Sequence, residues 1–451
     1  MDKIIKAEQL KTDILEKVKE YYSLAHDNSN QKFIPGESKL NYAGRIFDEH
    51  EMMNLIDSSL DFWLTYGDYS RKFEAGLADF LGVRFSLLVN SGSSANLLAF
   101  SALTSPLLKE RRVERGDEVI TVAAGFPTTV APIIQHGAIP VFVDIDLQTV
   151  NIDCSKLEEA VSDRTKAVML AHTLGNPFNL KAIKEFCDKY NLWLIEDNCD
   201  ALGSKYDGRY TGTFGDIGTS SFYPPHHMTL GEGGAVYTNN PLLKKIMLSM
   251  RDWGRDCWCD SGRDNTCEHR FSGQYGTLPF GYDHKYVYSH FGYNLKASDM
   301  QAAVGCAQLE KLPGFIKKRR ENHKNLQQLL IERGVEKYLT IQQAEDNSEP
   351  SWFGMLVVLK ENAPFSRNML AEFLENRKIQ TRNLFAGNLT RHPCFDSLQE
   401  GVEYRICGKM ENTDRVMNDA VWVGVYPGLT QEKLDWMADS FAEFINANAQ
   451  S

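Results

Sequence analysis

Three features of the sequence predict an α/β chain with a mostly parallel central sheet and a smaller C-terminal α+β domain. Between residues 73 and 306 short apolar runs recur: F-S-L-L-V-N, E-V-I-T-V, I-P-V-F-V-D, K-A-V-M-L-A-H and L-W-L-I-E-D. They are rich in Val, Ile and Leu, as strands covered on both faces are. Segments of helical character separate them, which is the rhythm of βαβ units. The chain has 451 residues, 43% hydrophobic and 24% charged, too long for one small core and suited to two domains around a shared cleft.

From the N-terminus, residues 3–25 read as an amphipathic helix followed by a polar stretch, H-D-N-S-N-Q-K. The expected division is an N-terminal helical segment over 1–60, a large domain over 61–305 and a small domain over 306–451. Residues 252–281 break the strand–helix rhythm with Gly, Asp, Arg and Cys and little apolar material, so this insertion needs something other than a core to hold it. Ser298 begins a capping box, S-D-M-Q, whose helix is expected to run towards Leu312. The first residues carry no apolar signal core and no run of about 18 apolar residues occurs, so a cytoplasmic, non-membrane protein is expected. A net charge of −11 argues against a broad nucleic-acid footprint. Nine cysteines, an odd number in a long chain, argue against a disulfide framework.

Several segments carry chemistry. F-S-L-L-V-N-S-G-S-S-A-N reads as strand, tight turn and helix, with Gly92 allowing the turn and Ser93, Ser94 and the first free amides available to a phosphate. A serine-rich N-cap is by itself usually only a cap. Asp197 ends an apolar strand, where a carboxylate can pair with a protonated pyridine nitrogen; otherwise it is a cap or a surface acid. Phe126 can stack on a ring or simply join the core. Ser221 opens S-F-Y-P-P-H-H-M-T-L-G-E-G-G and can add a hydroxyl to a phosphate site.

Together these segments resemble the DegT/DnrJ/EryC/StrS sugar aminotransferase family, which has the aspartate-aminotransferase fold (type I, pyridoxal-phosphate dependent) and works on nucleotide-linked keto sugars. The resemblance spans most of the chain. It implies that Asn294, in G-Y-N-L-K-A-S-D-M-Q, reaches the phosphate of a neighbouring subunit, and hence a homodimer. Where the family carries its Schiff-base lysine, five residues before the glycine of G-E-G-G, this chain has His226. An imidazole cannot bond the cofactor covalently but can abstract a proton, with an unperturbed pKa near ~6.5. The expected outcome is dehydration of a sugar by pyridoxamine 5'-phosphate rather than amino transfer. A purely structural or metal-binding histidine pair is the plainer alternative.

Cys199, Cys257, Cys259 and Cys267 stand with 57, one and seven residues between them. Four thiolates suit zinc or a 2Fe–2S cluster, and spacing does not choose between them. Cys199 lies two residues after Asp197, so a redox centre has a reason to be there that structural zinc lacks. Arg251, Arg255, Arg263 and Arg270 are expected to form a solvated rim, or else to offset cluster charge. The cysteine spacing, the histidine and the run Y-S-H-F-G-Y-N-L-K resemble the iron–sulfur dehydrases of the family. That resemblance implies CDP-4-keto-6-deoxy-D-glucose as substrate, with His226 as base. It also implies an NADH-dependent flavin and iron–sulfur reductase as electron donor, and a place in 3,6-dideoxyhexose (O-antigen lipopolysaccharide) biosynthesis. Two rivals stand beside it: a cluster-free, glutamate-using dehydrase of the colitose type, and a non-catalytic redox sensor. Arg382 and Arg391 are equally readable as substrate contacts or as solvent-facing residues.

Overall fold

The computed structural model describes residues 2–27, 32–259 and 262–449. Part of the polar stretch after the first helix (28–31) and two positions of the insertion (260–261) therefore lie outside the described residues.

Each of the five apolar runs forms a strand: β1 (Phe85–Val89), β2 (Glu118–Val122), β3 (Ile139–Val143), β4 (Thr165–Ala171) and β5 (Trp193–Asp197). With β8 (Ile217–Ser221), β9 (Gly234–Thr238) and β14 (Arg405–Ile406) they make an eight-stranded sheet in the order β1-β9-β8-β5-β4-β2-β3-β14. From β8 through β5, β4, β2 and β3 to β14 every pairing is parallel, and β9 alone runs against its neighbours β8 and β1. Helices cover both faces. The helix Leu180–Tyr190 adds Leu180, Ile183 and Phe186 to one apolar core, and the helix Gly92–Leu103 adds Leu98, Ala99 and Phe100 to another. Strands sealed on both sides have no use for polar residues, which is why they read as continuous apolar runs.

The C-terminal part is a second layer. A four-stranded antiparallel sheet, β10 (Leu339–Ile341), β12 (Gly354–Leu359), β15 (Ala420–Gly424) and β13 (Thr381–Arg382), packs with the helix Gln431–Asn448 around Met355, Val357, Val421, Phe441 and Phe444. A three-stranded ribbon of β6 (Lys205–Tyr206), β7 (Arg209–Tyr210) and β11 (Ser348–Glu349) ties the two parts together.

The helix after Ser298 does carry its capping box: Gln301 donates its amide to the Ser298 hydroxyl, and the Gln301 side chain accepts from the Ser298 amide at 2.8 Å. It runs well past Leu312, to Glu332, with Pro313 inside it. The expected stop gives way to packing: Leu312 and Ile316 lie in one core and Leu326 and Leu330 in the next, so one helix spans both layers. The first helix, Asp2–Ala25, buries none of its residues. Lys11 fixes it by ion pairs to Asp57 and Asp61 at 2.7 and 2.9 Å, while Ile4, Ile5 and Leu10 face outward. No helix among the described residues is long and apolar enough to cross a membrane.

Candidate active site

A cavity of about 510 Å³ opens at the carboxyl ends of the parallel strands. Ligand sites of doubly wound sheets lie there because the strand ends and the helix N-termini that follow them converge on one side. Ala171 ends β4, Asp197 ends β5 and Ser221 ends β8, and all three line it. The helix after β1 contributes Gly92, Ser93 and Asn96, and the segment after β2 contributes Phe126. The C-terminal layer closes the other wall with Phe353, Arg382, Phe385 and Trp422.

Asp197 is held rigidly. Its Oδ2 accepts from Asn96 Nδ2 and from the Thr129 hydroxyl, each at 2.7 Å, and its Oδ1 accepts from the Cys199 amide at 3.1 Å. The Thr219 hydroxyl donates to Asn96 Oδ1 at 2.7 Å and so fixes which end of that amide faces the carboxylate. Asn96, Thr129 and Thr219 were not evident from the sequence; nothing about a lone polar residue in a helix or strand marks it as a partner across the sheet.

Gly92 begins its helix directly against Ser221. A Cβ built there would lie 2.4 Å from the Ser221 Cβ, so the close approach of the two segments requires glycine. Ser91, not Ser93, is the N-cap and accepts the Ser94 amide at 3.0 Å, which leaves Gly92 and Ser93 at the cavity wall. This helix start is a ready anion seat. Phe126 is half exposed at the mouth, edge-on to Phe385 at 6.0 Å.

His226 lines the cavity, and none of the residues lining it is a lysine. Its turn is closed by its own amide bonding Tyr223 O at 3.0 Å, and the buried Arg319 donates to its carbonyl at 3.2 Å. The ring sits 5.2 Å from that of Phe353. His227 instead points its Nε2 at Ser351 O, 2.6 Å away, and does not line the cavity. Burial lowers the His226 pKa to about 4, with Asp197 working against the shift and Arg319 adding to it. The expected unperturbed value of ~6.5 is therefore corrected downward, and the imidazole is neutral at physiological pH.

Asp200 lies 3.5 Å from His226 Nδ1 and lines the same cavity. Burial, then the charge of Asp197, push its carboxyl up to about 8. The D-N-C-D spacing was the signal that could have marked it. Cys199 also lines this cavity; burial, with Asp197 adding to it, pushes its thiol well above the ordinary range.

The other three cysteines gather elsewhere. Cys257, Cys259 and Cys267 line a small separate cavity with His284, Arg270 and Lys285. Within one chain, Cys199 lines the strand-end cavity and the other three cysteines line that of the insertion. Of the four arginines, Arg251 is not part of a solvated rim: it is 2% exposed, bonds Glu74 at 2.9 Å and Asp252 at 3.0 Å, and anchors the helix Pro241–Arg251. Arg270 pairs with Asp283 at 3.1 Å, Arg255 stacks on Trp253, and Arg263 is exposed. Asn294 is exposed and outside the cavity of its own chain. Arg382 lines the cavity and stacks on Tyr42 at 4.2 Å, whereas Arg391 pairs with Asp414 at 2.8 Å on the surface.

Residues 46–442 match the model of the DegT/DnrJ/EryC1/StrS aminotransferase family. The chain is 53% identical to the lipopolysaccharide biosynthesis protein RfbH of Salmonella typhimurium, over 98% of this chain and 99% of that one. It is 49% identical to a dTDP-4-dehydro-2,6-dideoxy-D-glucose 3-dehydratase of Saccharopolyspora spinosa, over 96% and 92%. Among solved structures it resembles a GDP-4-keto-6-deoxymannose-3-dehydratase with a trapped PLP-glutamate geminal diamine, with a TM-score of 0.77 and 30% identity over 89% of this chain and 100% of the other.

Proposed function

For a chain that belongs to the DegT/DnrJ/EryC1/StrS aminotransferase family and has its aspartate-aminotransferase fold, we propose a cofactor-dependent 3-dehydratase of a nucleotide-linked 4-keto-6-deoxy sugar. The observation that carries this reading is His226: an imidazole, with no lysine among the lining residues, faces the same cavity as Asp197. The two matched dehydratases act at carbon 3 by name, which supports the same position here.

The residues fit pyridoxamine or pyridoxal phosphate. The helix start at Gly92 and Ser93, with the Ser221 hydroxyl, would seat the phosphate. Phe126 would cover the ring, and Asp197, fixed by Asn96 and Thr129, would keep a proton on the pyridine nitrogen. When bound, the cofactor supplies an amine that condenses with the sugar ketone and a ring that takes up electron density. His226, neutral and unable to bond the cofactor, would take a proton at the cofactor's methylene carbon and, as imidazolium, could give it to the departing 3-hydroxyl, which would leave as water. Asp200, with its carboxyl pushed up to about 8, would stand uncharged 3.5 Å from the imidazole at neutral pH. Asn294, exposed beside the fully exposed Phe291, suits completion of a partner's site in a homodimer.

The finer reading is reductive: a metal cluster in the cysteine insertion passes electrons from an NADH-dependent flavin and iron–sulfur reductase, and the substrate is CDP-4-keto-6-deoxy-D-glucose in O-antigen assembly in the cytoplasm. Cys257, Cys259 and Cys267 support it by their convergence. A second, cluster-free reading, in which glutamate renews the cofactor amine, is favoured by the glutamate adduct in the matched dehydratase. Turnover of CDP-, GDP- and dTDP-linked 4-keto-6-deoxy sugars, with glutamate or with NADH and reductase, decides between them. No dehydration of any of the three would overturn the dehydratase reading itself.

A further inference from the structure

His226 stands on a stretch between β8 and β9 that contains no helix or strand, so no ladder of its own fixes the imidazole. The helix Asp299–Glu332 holds that stretch at three points. Gln301 Nε2 donates to Glu232 O at 2.8 Å, and Gln308 Oε1 accepts the Thr229 amide at 3.1 Å. Arg319 Nη2 donates to Pro225 O and His226 O at 3.4 and 3.2 Å. The other arm of the same guanidinium, Nη1, donates to Trp352 O and Phe353 O at 3.3 and 3.2 Å. His227 Nε2 ties the same two segments together by donating to Ser351 O at 2.6 Å. The second segment is itself anchored: the Ser204 hydroxyl accepts the Ser351 amide at 2.7 Å, and Leu174 O accepts the Phe353 amide at 2.8 Å. One planar fork therefore joins the turn of His226 to the cavity wall against which its ring packs. Arg319 is 1% exposed, and its partners are carbonyls rather than a carboxylate. Burying a cation without a paired carboxylate is costly. A neutral side chain would avoid that cost, but it could not hold four carbonyls of two segments in the rigid geometry of one guanidinium.

We propose that Arg319 is the positioning residue of His226: by holding the carbonyls of Pro225 and His226 to the segment that carries those of Trp352 and Phe353, its guanidinium sets where the imidazole stands in the cavity. Arg319 does not line that cavity, so it acts only through the backbone of the turn. Proton transfer tolerates little misplacement, and a shift of about 1 Å can cost about 10²-fold in rate. The inference rests on the reading of His226 as the base and adds to it the group that aims the base.

The test uses the full chain as Arg319→Met, which removes the donors, and as Arg319→Lys, which keeps the charge but not the fork. Each is also made in the His226→Lys background. Solvent deuterium exchange at the cofactor methylene, kcat and KM are measured with whichever CDP-, GDP- or dTDP-linked 4-keto-6-deoxy sugar the wild type dehydrates. Pyridoxamine-phosphate affinity is read by absorbance and the fold by circular dichroism. Arg319→Met should keep cofactor affinity and KM within about threefold while kcat and methylene exchange fall about 10²-fold, with Arg319→Lys between it and wild type. In the His226→Lys background, the fraction of pyridoxal phosphate trapped by borohydride should drop several-fold when Arg319 is also replaced. Should Arg319→Met fail to fold, Arg319→Lys is read by the same measurements. Wild-type exchange per bound cofactor together with undiminished trapping, whatever the fall in unfolding temperature, would leave Arg319 a purely structural residue and overturn the inference. Loss of cofactor affinity in proportion to the loss of exchange would overturn it too. If no sugar supports exchange with Arg319 intact, the base reading fails, and the trapping comparison, which needs no turnover, decides on Arg319 by itself. If His226→Lys traps no cofactor with Arg319 intact, the inference falls even where the wild type dehydrates.

Discussion

Asp197 reaches its cavity from a strand buried along its whole length, while Cys257 reaches its pocket from a segment in which, among the described residues between Arg251 and His284, there is no helix or strand. The first site is held by the fold. Its carboxylate is fixed by two donors from the flanking segments and one from its own strand turn, so the geometry exists before any ligand arrives. The second leaves Trp258, Phe271, Phe280 and Tyr282 exposed and draws its order from polar pairs such as Arg270 with Asp283. A cavity at strand ends is therefore preorganised, whereas a loop without a core of its own depends on its side-chain pairs.

That contrast can be broken or sharpened by substitution. The largest effect is expected from His226→Asn, which should lower 3-hydroxyl release by about 10²–10⁴-fold while cofactor absorbance still titrates normally. Wild-type solvent exchange at the cofactor methylene in this variant would remove the base assignment. His226→Lys should make the bound cofactor trappable by borohydride; failure to trap it would show that position 226 does not face the cofactor carbon.

Cys257→Ser probes the other region. It should abolish NADH-linked product formation, leave reversible dehydration in place and make the 252–281 loop a preferred site of limited proteolysis, since a hydroxyl is a poor substitute for a thiolate ligand. Equal proteolysis of the wild-type and variant loops would mean that the loop needs no staple. Gly92→Ala tests preorganisation in the first region. Its new methyl meets Ser221 at 2.4 Å. An overpacking cost of about 1–3 kcal/mol should appear as weaker phosphate binding and a lower unfolding midpoint, with no change in metal content.

The smallest effect concerns pH. Asp200, with its pKa raised to about 8, is neutral below that pH and ionises above it, and its charge then favours a proton on His226. Ionised Asp200 strengthens His226 as a base while the imidazole, with a pKa of about 4, stays unprotonated, so activity should rise through about pH 8 in wild type, and Asp200→Asn should flatten that rise by a few-fold, read from kcat/KM against pH. On the acid side the sign is opposite and concerns stability. His226 and His323 have folded pKa values of about 4 and about 3, below the unfolded value of 6.5. The unfolded chain then binds more protons below pH ~6.5, so the unfolding midpoint should drop as pH falls through that window.

What the sequence determined was local in origin. Five apolar runs became five strands because each is apolar enough to require cover on both faces, and the cap at Ser298 formed because its four residues supply both hydrogen bonds themselves. His226 was singled out by the resemblance to the family frame around G-E-G-G, and the structure places it in the cavity with Asp197. The tertiary structure alone decided which distant side chains meet. It sent Cys199 to the cofactor cavity and brought His284 to the cysteines. It also buried Arg251 against Glu74 and laid Arg319, on a helix spanning both cores, against the carbonyl of His226. These meetings depend on strand order and on the packing of one layer against another, and no local periodicity or spacing carries that information.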